Sequence, residues 1–158
     1  MAGIGKGVMG MAARQREPRG VEFFMAMKPP ETTAQMRKFA VRGGKVRVYD
    51  PPEVAAMKAK LESRLAPHRP AKPLQGPVRL MVKWLFPVGR GHFDGDWRTT
   101  PPDTDNLQKA LKDVMTKLRF WGDDAQVASE IAEKFWAARP GIYVVVHEMP
   151  VNAKEMTR

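Results

Sequence analysis

Val78, Leu80, Val82, Trp84 and Phe86 stand at alternate positions, and this run constrains the fold more than any other feature of the chain. Successive side chains of a strand point to opposite faces, so the run predicts a strand with one buried face. Downstream the period changes. Leu107, Leu111, Val114 and Leu118 recur at helical spacing and predict a helix over Thr104–Leu118 with its stripe against the core. A strand and a helix that are each apolar on one side must cover each other, which places a sheet and a helix in one layered domain.

The other elements read in the same way. Val21–Met27 predicts a short strand ended by Lys28-Pro29-Pro30, because proline cannot continue a ladder. Met36–Val41 and Lys45–Tyr49 predict a hairpin around Arg42-Gly43-Gly44, where Gly-Gly supplies the positive φ of a tight turn. Pro51 and Pro52 suit a helix start with Asp50 as N-cap, and Met57, Leu61 and Leu65 give that helix its apolar face. Ala66–Pro77 is a proline-rich connector and Gly89–Thr100 a polar loop. Gln126–Trp136 and Gly141–Glu148 predict a final antiparallel strand pair joined through Arg139-Pro140-Gly141. Trp84, Trp121 and Trp136 are expected in the core, with a DNA wedge at Phe120 or Trp121 as the alternative.

A chain of 158 residues fits one domain. Residues 21–150 form it, residues 1–20 are expected to be a flexible basic extension, and residues 151–158 a tail. Lys and Arg number 27 against 17 Asp and Glu, a net charge of +10. That excess favours a polyphosphate partner through counterion release. The hairpin is its densest part, with Arg37, Lys38, Arg42, Lys45 and Arg47 and no acid before Asp50. With no cysteine, disulfides and thiolate metal sites are excluded. No apolar run approaches the ~20 residues that span a bilayer, and no secretory signal is evident. His68, His92 and His147 stand at no ligand spacing.

Against this basic background, acids gather at one place. Asp103 and Asp105 flank the predicted helix start, Lys109 follows one turn later, and Asp123-Asp124 come after the helix. Phosphodiester hydrolysis needs an activated water and charge stabilisation at phosphorus, which magnesium supplies when carboxylates hold it and leave positions open. Lys109 shares a helix face with Asp105 and can neutralise a phosphate oxygen or protonate the leaving group. A helix of about fifteen residues is ~22 Å long. The second acidic pair therefore meets the first only if the helix is bent or shorter, or if the returning strand crosses it. One of Asp123 and Asp124 is then expected to converge on the site. The structural alternatives are a capping Asp103, an Asp105–Lys109 surface pair and an ordinary Asp123-Asp124 turn.

The block Asp103-Thr104-Asp105-Asn106-Leu107-Gln108-Lys109, then Asp113, then Phe120-Trp121-Gly122-Asp123-Asp124-Ala125-Gln126-Val127, resembles the RusA family of Holliday-junction resolvases, often carried by phages and prophages. The resemblance extends over roughly residues 21–149. It implies an α+β fold with a small mixed β-sheet and two main helices, working as a homodimeric endonuclease. It also implies magnesium as cofactor, with manganese as a substitute. By position, Asp103, Asp105 and Asp124 match the family's metal-binding acids and Lys109 its catalytic lysine, while Asp123 matches a less critical position. Some members carry a basic residue before the first aspartate; here Pro102 stands there and Arg98 is the nearest upstream cation.

The expected activity is structure-selective cleavage of four-way DNA junctions in recombination and repair. No membrane and no small-molecule cofactor are expected, and the place of action is the cytoplasm, that of a bacterial host if phage-encoded. Lys38, Arg42, Lys45, Arg47 and Arg98 are the expected DNA contacts. The alternatives are a less selective flap or branched-DNA nuclease, and a basic DNA-binding protein that cuts nothing.

Overall fold

In the computed structural model, which describes residues 17–31 and 38–157, the alternating run is strand β4 (Val78–Pro87) at the heart of the sheet. Residues 1–16, 32–37 and 158 lie outside that description, as do the side chains of 38–42, 47, 48 and 157. Most of the N-terminal extension and the start of the hairpin's first strand therefore fall outside it. Val78, Leu80, Val82, Trp84 and Phe86 are all fully buried. The remaining elements are β1 (Gly20–Met25), β2 (Lys38–Arg42), β3 (Lys45–Tyr49), α1 (Pro52–Leu65), α2 (Thr104–Lys117), β5 (Val127–Ala137) and β6 (Gly141–Glu148). Leu61 and Leu65 of α1 join Leu107, Leu111, Val114 and Met115 of α2 in one core cluster with the buried face of β4.

The main sheet has the order β1-β6-β4-β5, and β2 with β3 forms a separate two-stranded ribbon. Gly43 and Gly44 take φ of 59° and 73°, the conformation expected of the ribbon's turn. The expected β5–β6 hairpin is not formed. β5 pairs parallel with β4, from Val78↔Val127 to Pro87↔Ala137, and β6 pairs antiparallel with β4 on its other edge. The link through Arg139 and Pro140 reverses the chain but carries it past β4 instead of turning back on β5. Setting β4, with its fully buried inner face, between β5 and β6 satisfies both of its hydrogen-bonding edges. Parallel entry of β5 requires a long crossover, and α2 provides it. Gly141 serves close approach: a Cβ there would sit 2.1 Å from the Phe24 ring.

Two further expectations are corrected. Asp50 does not cap α1. Pro51 is the N-cap residue, and the Asp50 carboxylate accepts from Lys58 Nζ at 2.9 Å. The wedge reading of Phe120 and Trp121 fails, because both are fully buried. Trp121 Nε1 donates to Thr116 Oγ1 at 2.7 Å, closing the turn after α2. Trp84 is fully buried and Trp136 half-buried against the core.

Arg19, which the sequence groups with the extension, is tied to the end of β6. Its Nη2 and Nε donate to Glu148 Oε1 at 2.7 and 3.1 Å, and the Gln75 amide donates to the same oxygen at 2.8 Å. Burial pushes the Glu148 carboxyl up, but the Arg19 guanidinium and the Gln75 and Arg19 amides outweigh it and hold the group below its ordinary value. A depressed carboxylate contributes stability that is present above its unfolded value, about 4.3, and is lost as pH falls through the folded value. Glu148→Gln should therefore cost about 2 kcal/mol at pH 7. The gap from the parent should close when urea unfolding is repeated well below pH 4. An equal gap at both pH values would remove the charge from the explanation.

Candidate active site

Asp103 occupies the N-cap position of α2 but makes no side-chain cap bond, so the helix does not use its carboxylate. The helix takes only its backbone carbonyl, which accepts from the Leu107 amide at 3.1 Å. Asp105 lies in the first turn, where the helix dipole favours negative charge. Asp103, Asp105 and Lys109 are all exposed, whereas Asn106, Leu107 and Gln108 between them are buried. The start of α2 thus presents the Asp103 and Asp105 carboxylates to solvent, and Lys109 lies exposed one turn beyond Asp105. The structural alternative of an Asp105–Lys109 surface pair is not formed. Lys109 Nζ instead lies 3.8 Å from Asp113 Oδ1, one turn further on. Among the described residues, neither Asp103 nor Asp105 has a hydrogen-bond or ion-pair partner for its carboxylate.

Asp123 and Asp124 have different tasks. Asp123 Oδ1 accepts from the Ala125 amide at 2.8 Å and caps a short 3-10 turn, Asp124–Gln126. Gln126 completes the capping box, its Oε1 accepting from the Gly122 and Asp123 amides at 2.8 and 3.1 Å. Asp124 is exposed and, among the described residues, its carboxylate is unpaired.

Asp103 and Asp105 both stand at the start of α2, whereas Asp124 lies beyond its other end. Asp124 follows the far end of α2, which spans 14 residues, and such a helix is ~21 Å long. The sheet gives the same separation. The Pro102 carbonyl, next to Asp103, is held by Lys134, seven residues along β5 from Val127, or ~23 Å at ~3.3 Å per residue. Accordingly, among the described residues no three His, Asp or Glu side chains are placed to hold one metal ion. Two exposed, unpaired carboxylates nonetheless fit magnesium, which binds through one or two carboxylates and keeps several waters or phosphate oxygens.

Three supporting residues gave no signal in the sequence. Gln108, 2% exposed, accepts from Trp84 Nε1 at 2.8 Å and donates to Glu130 Oε1 at 2.9 Å, linking α2 to β4 and β5. Lys112 closes that chain on Glu130 Oε2 at 2.8 Å. Lys134 donates from Nζ to the Thr100 and Pro102 carbonyls. Burial and the neighbouring Arg98 charge lower the Lys134 pKa, and Asp103 opposes them.

Arg98 needs correction. Expected to grip phosphate, it is 9% exposed and its guanidinium lies 3.9 Å from the Phe86 ring centroid and 4.6 Å from that of Trp136. Its donors go to Thr100 Oγ1 and the Pro101 carbonyl, so it braces the loop. Of the hairpin cations, Lys45 is exposed at the turn, and the side chains of Lys38, Arg42 and Arg47 lie outside the described set.

Residues 29–147 match the protein family described as "Endodeoxyribonuclease RusA". The chain is 30% identical over 115 residues to a protein of Lactococcus phage r1t named crossover junction endodeoxyribonuclease rusA, covering 72% of this chain and 86% of the relative. It is also 30% identical over 131 residues to the uncharacterised protein YqaN of Bacillus subtilis (strain 168), covering 75% of this chain and 92% of that protein. With the family match spanning most of the chain and including both acidic groups and Lys109, the chain belongs to the RusA family and is an endodeoxyribonuclease.

Proposed function

We propose that the chain is a magnesium-dependent endonuclease that resolves four-way DNA junctions, acts as a homodimer and works in the cytoplasm. The observation that carries this reading is the start of α2, where Asp103 and Asp105 are exposed and unpaired among the described residues and an exposed Lys109 follows one turn on, in a chain of net charge +10. The name of the phage relative supports the junction as substrate. Among the described residues no helix is long and apolar enough to cross a membrane. Asp103, Asp105 and Asp124 would hold the ion. Magnesium supplies a Lewis acid that activates water and offsets charge on the phosphate. Lys109 neutralises a phosphate oxygen or protonates the departing 3′ or 5′ oxygen. The hairpin cations Lys38, Arg42, Lys45 and Arg47 bind backbone phosphates outside the reacting bond.

A helix length separates Asp124 from Asp105 within one chain, so a second copy is the natural source of the third carboxylate. A two-fold dimer would set Asp124 of each copy against Asp103 and Asp105 of the other, and would present two sites to two strands of a two-fold junction.

Two measurements test this. Labelled four-way junction, linear duplex and flap are compared with and without magnesium. Metal-dependent nicking of the junction alone is expected. Equal cutting of all three would mean a less selective nuclease, and binding without nicking a non-catalytic protein. Separately, Asp105→Asn and Asp124→Asn proteins, each inactive, are co-refolded. If the acids combine across the dimer, mixed dimers keep one intact site and nicking returns. If the acids combine within a chain, every site is broken and the mixture stays inactive.

A further inference from the structure

We infer that Lys134 and Arg98 are positioning residues that hold the segment before Asp103 by its backbone carbonyls and so fix the Asp103 and Asp105 carboxylates for metal binding. This rests on the reading of those two acids as ligands. Thr100, Pro101 and Pro102 lead directly into Asp103. Proline has no N–H, so Pro101 and Pro102 can offer neither a ladder nor a turn donor. Their carbonyls are the only backbone groups by which they can be held.

All three carbonyls are taken by cations. Lys134 Nζ donates to Thr100 O at 2.9 Å and to Pro102 O at 2.8 Å, and Arg98 Nη2 donates to Pro101 O at 2.6 Å. A single ammonium suits the first task, because its rotatable donors reach two carbonyls from one point. The planar guanidinium suits the second. It lies 3.9 Å from the Phe86 ring centroid and 4.6 Å from that of Trp136, is bonded to Thr100 Oγ1 at 3.1 Å, and lies 3.7 Å from Glu31 Oε1. The two cations are also coupled through the backbone, since the Arg98 amide donates to the Lys134 carbonyl at 3.0 Å. Charge-assisted bonds of this kind are roughly twice as strong as neutral ones. They anchor the segment to β5, an element of the core sheet, so the α2 start is fixed from outside the helix. Groups that orient metal ligands without touching the metal commonly set affinity tenfold to a hundredfold.

The test is Lys134→Met, which keeps the apolar stem and removes the donors. The magnesium concentration for half-maximal junction cleavage should rise about tenfold. Manganese binding to the full-length protein without DNA, followed by water-proton relaxation, should weaken by a similar factor. Junction affinity without metal should stay within twofold of the parent. Arg98→Lys, which keeps the charge and loses the fork, should shift both metal readouts in the same direction and covers the case in which Lys134→Met does not fold. Metal dependence within twofold of the parent in the folded variants would overturn the inference. So would a tenfold loss of metal-free junction affinity with unchanged metal dependence, since Lys134 would then be a phosphate contact. Asp103→Asn, run in parallel, separates the two layers. If it cleaves normally, the ligand reading fails; if it is inactive while Lys134→Met and Arg98→Lys bind metal like the parent, only the positioning role fails.

Discussion

Asp105→Asn is expected to lower junction cleavage by about a thousandfold, roughly 4 kcal/mol in the barrier, while leaving junction binding intact or tighter. The substitution keeps side-chain size and removes the charge that attracts a divalent cation. The helix should tolerate it, because the carboxylate is exposed and, among the described residues, has no partner whose loss would unfold the first turn. Binding should not suffer, since a negative charge facing phosphate opposes association. Cleavage and electrophoretic mobility of the same labelled junction give both numbers from one preparation. Cleavage within threefold of the parent would remove Asp105 from the site. Parallel loss of binding would instead mean that the α2 start had been displaced.

Lys109→Ala is the second large effect. If Lys109 only pairs with Asp113 on the surface, its loss costs a few tenths of a kcal/mol, because an exposed i,i+4 pair is worth no more. The 3.8 Å separation and the 55% exposure of the lysine side chain make this a weak pair. If Lys109 meets the scissile phosphate or the leaving oxygen, single-turnover cleavage at saturating enzyme should slow a hundredfold or more, about 2.7 kcal/mol. The second outcome is expected, since the exposed face of α2 aligns Lys109 with Asp105. Metal affinity should change little, because ammonium is not a ligand. Single-turnover conditions prevent slow product release from hiding the chemical step. A rate near the parent's would leave the carboxylates as the only supported catalytic groups. The structural cost is small, so lost activity could not be blamed on unfolding.

Sequence periodicity alone determined the elements and their inner faces. The alternation from Val78 to Phe86 and the stripe from Leu107 to Leu118 depend only on local geometry, and each maps onto an element with the expected side buried. The Gly43-Gly44 turn is legible for the same reason, since its backbone angles are a property of two residues. The exposed chemistry of α2 follows from them: once the buried face is known, Asp105 and Lys109 must lie on the other. Tertiary structure decided everything that depends on which distant groups meet. Arg139-Pro140-Gly141 announces a reversal but does not say which strand lies beside β5, because that choice depends on burying both edges of β4. Asp123 and Asp124 are the same residue type side by side, and only the amide of Ala125 and the reach of Gln126 separate a turn cap from an acid that, among the described residues, is unpaired. Arg98 reads as a surface cation until Phe86 and Trp136 close over it. Lys134 carries no pattern at all; its part is set by two carbonyls more than thirty residues upstream, which two prolines leave with no other means of being held.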